Sequence, residues 1–144
     1  MAIRNEDSKD SILLSCTIKM AKSCTVQTEN IYYKSCIVDY LELLARVKEI
    51  KETALRYELV LYDFSGCLTV YAYKKSLTDK KQTLFKDYVY LDNGYALIHG
   101  SFRKNQEGLM FFIKYIRNIK ERCIIDDFLS RTLLGYIRNE TLKF

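Results

Sequence analysis

The sequence predicts an all-β fold with a terminal helix, specifically a five-stranded Greek-key barrel followed by a C-terminal α-helix, and three observations lead there. Two alternating segments flank Asp63-Phe64-Ser65-Gly66, with Leu55, Tyr57, Leu59 and Leu61 before it and Leu68, Val70 and Ala72 after it. That is the pattern of a hairpin with one apolar face inward. Gly100 interrupts a later alternating run, as a bulge or sharp bend does in a barrel strand. From Cys123 the period becomes helical, and Ile125, Phe128, Leu129, Thr132, Leu133, Tyr136 and Ile137 form one continuous stripe.

Residues 1–11 are polar and charged and are expected to form a flexible terminus. Between 12 and 33 the pattern is weakly periodic, and Ile12, Leu13, Ile18 and Met20 suggest a short strand or turn lying across the barrel. A first strand is predicted over 36–48, with Leu41, Leu43, Ala45 and Val47 on one side and Glu42, Leu44, Arg46 and Lys48 on the other. Its length allows it to bend and serve two sheets. The hairpin strands follow at about 54–63 and 67–74, with Tyr71 and Tyr73 facing outward. The lysine-rich stretch 74–86 reads as a connector holding a short helix at 82–86.

After an Asn93-Gly94 turn, Ala96 and Ile98 alternate with Tyr95 and Leu97 in a fourth strand; a turn over 104–108 leads to a fifth at 109–117. Five strands with a helix between the third and fourth describe the OB-fold, assigned to residues 12–120, with the C-terminal helix over 121–144. Asp126 and Asp127 near the start of that helix, and Arg131 and Arg138 further on, suit its macrodipole. A stripe this broad must either dock on the barrel or join another subunit's helix. Because the strands close the barrel without it, the second is favoured.

A chain of 144 residues, about half of them apolar, is one domain's worth and can bury a single core. The net charge of +5 suits a polyanionic or acidic partner. The five cysteines contain no C-x-x-C pair and are odd in number, so neither a zinc set nor a disulfide scaffold is expected, and a reducing cell interior is. No apolar run approaches the ~20 residues of a membrane span, and no membrane association is expected. His99 is the only histidine, no nucleotide-binding glycine motif occurs, and no nucleophile has a partner in sequence. No catalytic residue, metal or cofactor is therefore expected, and the chain reads as a non-enzyme.

Single-stranded DNA is held by aromatic platforms set in a positively charged groove. Tyr71 and Tyr73, with Arg56, Lys74, Arg103 and Lys104 around them, offer that combination; ordinary exposed barrel surface, or a face that covers a partner, is the alternative reading.

These residues resemble the middle subunit of replication protein A, the single-stranded DNA-binding heterotrimer. The likeness rests on Cys16-Thr17-Ile18, Val47, Tyr62-Asp63-Phe64-Ser65-Gly66, the run 70–73, Gly94-Tyr95 with Gly100, and Ile116-Arg117-Asn118-Ile119, in order over about residues 12–140. The resemblance implies an OB-fold with weak DNA contact and a nuclear role in replication, repair or telomere maintenance. It also implies that the terminal helix bundles with helices of large and small OB-fold subunits. By position, Tyr73 stands where the family has a stacking tryptophan, whereas Asn105 stands where it has a second stacking aromatic. A telomeric paralogue acting mainly as a scaffold is the competing expectation; an RNA-binding OB module of translation is a third, which the helical stripe does not favour.

Overall fold

The computed structural model describes residues 12–86 and 95–141, and side chains as far as Leu134, that of Leu84 excepted. Nine strands occur among them: β1 (Leu13–Ser15), β2 (Thr25–Gln27), β3 (Asn30–Tyr33), β4 (Cys36–Val38), β5 (Tyr40–Glu52), β6 (Arg56–Asp63), β7 (Gly66–Tyr73), β8 (Tyr95–Asn105) and β9 (Gly108–Ile119). The helices are α1 (Ile18–Lys22), α2 (Asp79–Lys86) and α3 (Arg122–Thr141). The expected terminus at 1–11 and the Asn93-Gly94 turn lie outside the described residues.

Strands β5, β6, β7, β9 and β8 pair in that order, and β8 returns to β5, so the sheet closes on itself. The β7–β9 pairing is parallel and the other barrel pairings are antiparallel. Strand β5 makes closure possible: Leu41 to Ala45 pair with β8, and Arg46 to Glu52 pair with β6. This is the bent, two-sheet strand the alternation predicts, but it starts at Tyr40 rather than at 36. Residues 36–38 instead form β4, the edge of a separate three-stranded sheet, β2-β3-β4.

Two bulges shape the barrel. Lys48 is the extra residue between Val47 and Glu49, and Lys114 is the extra residue opposite the His99–Gly100 step. Each removes one residue from the ladder and re-aims its side chain. Gly100 sits at the second bulge because nothing larger fits: a Cβ there would lie 2.3 Å from the Phe112 carbonyl oxygen and 2.4 Å from the Phe111 ring.

The inward faces of the hairpin are as the alternation predicts. Tyr57, Leu59, Leu61, Val70 and Ala72 are buried; Leu55 is the exception, lying exposed in the β5–β6 turn. The turn at Asp63 is fixed by its own carboxylate, which accepts hydrogen bonds from the Ser65 and Gly66 N–H groups at 2.7 and 3.1 Å. The second carboxylate oxygen accepts the Ile18 N–H at 3.0 Å and so ties α1 across the end of the hairpin. Thr17 caps that helix by accepting from the Met20 N–H at 3.1 Å, and Ile18 and Ala21 enter the core.

Residues 12–33 are thus more structured than the sequence suggests. Strand β1 pairs in parallel with β5, α1 plugs the core, and β2 and β3 belong to the small sheet. The lysine-rich connector is likewise longer and more than a connector. Helix α2 starts at Asp79 and inserts Phe85, whose ring stacks on Tyr57 at 4.9 Å.

Cys16 and Cys24 are buried, Cys36 is half-buried, and Cys67 and Cys123 are exposed, and none of the five is in a disulfide. Burial pushes the Cys24 thiol up to about 12 and raises Cys16 as well, so both stay protonated and pack as small apolar groups.

Replacing Gly100 with alanine is expected to cost at least about 2–3 kcal/mol, because backbone rather than a mobile side chain blocks the new methyl. Chemical denaturation of Gly100→Ala beside wild type checks this.

Candidate nucleic-acid interface and assembly helix

Along β7 the side chains of Tyr71 and Tyr73 leave the barrel on its outer face, and the parallel register brings Phe112 of β9 opposite Tyr71. The three rings cluster. Tyr73 stacks on Phe112 at 5.3 Å and 21°, and Tyr71 meets the same ring at 6.0 Å and 46°. Phe112 was not legible in the sequence, because Met110-Phe111-Phe112-Ile113 is an unbroken apolar run with no alternation to show which phenylalanine turns outward. The structure buries Phe111 and leaves Phe112 half-exposed.

The cations around this cluster divide into two sets. Arg56 covers Tyr71 at 4.7 Å but is paired with Glu58 at 3.1 Å and Glu107 at 3.3 Å. Lys74 lies 5.2 Å from the Tyr57 ring and is paired with Glu52 at 2.5 Å; that bond from Lys74 holds the Glu52 carboxyl below its usual range. Arg103 and Lys104, by contrast, are exposed and have no ion-pair partner among the described residues. Arg103 reaches over Phe112 at 5.9 Å. Beside it a cleft of about 310 Å³ runs past Tyr71, Tyr73, Phe112 and Lys114.

Both turns at the ends of this face are short. In the β5–β6 turn Thr53 accepts from the Leu55 and Arg56 N–H groups. The β8–β9 turn is only Gln106 and Glu107, with Gly108 at φ +108°. Asn105 is tied into that turn: its amide oxygen accepts from the Glu107 N–H at 2.9 Å, and its Nδ2 donates to the Met110 sulfur at 3.1 Å.

Helix α3 supplies the second surface. Phe128 is buried against Leu44, Leu97 and Ile119 on the outside of the barrel, with Ile124, Ile125 and Tyr95 packed around them. A polar anchor lies next to this apolar seat. Glu42, only 3% exposed, accepts hydrogen bonds from the Ser15 hydroxyl at 2.7 Å and from Arg131 of α3, and its other oxygen meets His99 Nε2 at 2.6 Å. Arg131 also donates to Ser15 and Asp127.

The predicted single stripe is therefore divided. Phe128 and Thr132 face the chain's own barrel and Ile125 borders it, whereas Leu129 and Leu133 remain 48% and 59% exposed. The side chains of Tyr136 and Ile137 lie outside the described set. Docking on the barrel and presentation of a free apolar edge thus occur in one helix. Leu129 borders an apolar groove of about 340 Å³ that also takes in Tyr62, Phe64, Tyr95 and Phe128. Phe64 stands 85% exposed at its rim.

Comparison with solved structures gives the fold its name. A chain of a replication protein A heterotrimer bound to single-stranded DNA matches with a TM-score of 0.70 and 12% identity, over 88% of this chain and 96% of that one. A chain of the S. pombe Stn1–Ten1 complex matches with a TM-score of 0.70 and 11% identity, over 89% of this chain and 93% of that one. The barrel is an OB-fold.

A chain of the yeast Stn1 and Ten1 structure matches with a TM-score of 0.63 and 17% identity, over 94% of this chain and 75% of that one. No family model and no curated protein matches the sequence. In OB-fold terms β6 and β7 are the second and third strands, whose face and flanking loops form the usual oligonucleotide surface. The aromatic cluster lies where that face meets the fifth strand. Among the described residues no group of acidic, cysteine and histidine side chains is arranged to hold a metal ion, and no helix is long and apolar enough to cross a membrane.

Removing Arg131 leaves a buried carboxylate short of its cation. Arg131→Leu is expected to cost about 2–4 kcal/mol, and combining it with Glu42→Gln is expected to cost clearly less than the sum of the two. A double-mutant cycle by chemical denaturation measures the coupling.

Proposed function

We propose that this chain is a non-enzymatic OB-fold subunit of a heterotrimeric, replication protein A-like complex that binds single-stranded DNA in the nucleus. It assembles through α3 and touches DNA weakly through the face of β7 and β9. One observation carries the reading: α3 already has an apolar seat on its own barrel, yet keeps Leu129 and Leu133 exposed, with Leu129 bordering an apolar groove. A helix needing only to cap its barrel has no use for that second edge, whereas a helix shared with OB-fold partner subunits does. The matched structures, one described as a heterotrimer bound to single-stranded DNA and others as Stn1–Ten1 assemblies, support the same direction.

The DNA contact is assigned to Tyr71, Tyr73 and Phe112 as base platforms and to Arg103 and Lys104 as phosphate contacts. Arg56 and Lys74 contribute less, since each is already neutralised by carboxylates. The same pairing, with Asn105 locked in its turn where a second aromatic is expected, supports the alternative: a scaffold subunit of a telomere-capping or telomerase-associated assembly with little DNA contact of its own.

Leu129→Glu with Leu133→Glu is expected to abolish association with partner subunits while leaving the barrel folded, because both side chains face solvent in the single chain. Size-exclusion chromatography of the co-expressed complex, with circular dichroism of the variant alone, checks both halves.

For DNA, the isolated chain is expected to bind oligonucleotides only in the high-micromolar range, gaining apparent affinity when tethered beside stronger OB-folds. In the assembled complex Tyr73→Ala is expected to weaken binding by about 1–3 kcal/mol with an unchanged salt slope. Arg103→Ala is expected to shallow that slope by up to about one unit. Fluorescence anisotropy across a salt series separates the two, and an unaltered affinity for Tyr73→Ala favours the scaffold reading.

A further inference from the structure

A third cavity, of about 770 Å³, lies between the barrel and the small β2-β3-β4 sheet. It shares Ser101, Arg103 and Lys114 with the cleft beside the aromatic cluster, so the two form one continuous surface. Its barrel wall carries Arg103, Lys104 and Lys114, none of which has an ion-pair partner among the described residues. Its opposite wall carries Glu29 and Asp39, and the Asp39 carboxylate is engaged by the Ile12 N–H at 2.7 Å.

Lys114 is the bulged residue of β9, and the bulge aims it across the junction of the two cavities, where its ammonium lies 5.1 Å from the Tyr40 ring centre and 3.4 Å from its hydroxyl. Tyr40 thus adds a partly exposed aromatic ring to the cavity. At the far rim Thr28 and Glu29 both adopt left-handed backbone, φ +50° and +68°, in a two-residue hairpin turn. Asn-Gly is the usual occupant of such a turn, and a β-branched residue at φ > 0 is strained. The turn is held in place, against its local preference, where it walls the cavity.

We propose that single-stranded DNA leaving the Tyr71-Tyr73-Phe112 platforms continues past Lys114 into this cavity, where Lys104 and Lys114 hold its phosphates and Tyr40 offers a further base platform. This rests on the DNA contact proposed above and extends its path to a wall outside the barrel. An aromatic ring beside uncompensated cations is the combination that binds single strands without sequence preference. The cavity volume falls within the ~300–1,000 Å³ of ordinary ligand sites. Glu29 and Asp39 face the same space and oppose the phosphates.

The test uses the whole chain and oligothymidylates of about 4 and about 10 nucleotides, within the ~4–16 covered by OB barrels. Titrations are followed by amide chemical shifts, which read weak binding. The longer strand is expected to bind wild type at least about tenfold more tightly. Lys114→Ala is expected to reduce that gain to below about threefold and shallow the salt slope for the long strand by up to about one unit, leaving the short strand within about twofold. Glu29→Gln is expected to raise long-strand affinity about twofold, a gain that misfolding does not produce.

A Tyr73-dependent short-strand affinity with no gain on lengthening overturns the extended path and leaves the groove reading standing. Equal losses for both lengths in the lysine variant overturn the path as well. Absence of any binding by wild type overturns both.

Discussion

The way the terminal helix is set on the barrel depends on one buried carboxylate. Glu42 sits on the outer side of β5, where β1, β8 and α3 meet, and each of those elements sends it one hydrogen-bonding side chain: Ser15, His99 and Arg131. A carboxylate so nearly excluded from water is tolerable only when its oxygens are satisfied, so the three neighbours cannot shift independently. The apolar seat formed by Leu44, Leu97, Ile119 and Phe128 supplies adhesion between helix and barrel but little orientation. Glu42 adds direction. By holding Arg131 it sets the roll of α3, and the roll decides that Phe128 turns inward and Leu129 and Leu133 outward.

Much of the barrel could be read from the chain because half-buried strands alternate. The inward set Tyr57, Leu59, Leu61, Val70 and Ala72 was visible for that reason, and Gly100 marked its bulge because a side chain has no room there. Reading failed where a strand is covered on both faces. Leu44 and Leu97 looked like outward residues of ordinary alternation, whereas they form the seat of a helix some 30 to 80 positions later in the chain; no local pattern carries that information. Strands of three or four residues, as in β1 to β4, are too short for a period to show, so residues 12–33 were read as little more than a crossing segment and 36–38 as the start of the first strand.

The candidate site was legible in part, and its electrostatics were not. Tyr71 and Tyr73 followed from β7 alone, but their nearest aromatic neighbour comes from β9 through the parallel pairing, a contact between strands far apart in sequence. Counting lysines and arginines around the tyrosines treated four cationic neighbours, Arg56, Lys74, Arg103 and Lys104, as equals. The fold separates them, pairing Arg56 and Lys74 with carboxylates and leaving Arg103 and Lys104 exposed, and it adds Lys114 beside them. The N-terminal sheet, unreadable as a unit, contributes the second wall of the larger cavity.

The two-residue β8–β9 turn has a kinetic meaning. Long loops in binding proteins close over a ligand, and their ordering slows both capture and escape. With only Gln106 and Glu107 between the strands, and Asn105 fastened at the base, this turn has no length to fold down. On the proposed DNA-binding reading, a strand crossing this turn meets a surface already in its final shape and departs without waiting for it to open. Such a turn suits rapid exchange: in the proposed assembly a polymer would be released and recaptured segment by segment while neighbouring subunits keep their hold.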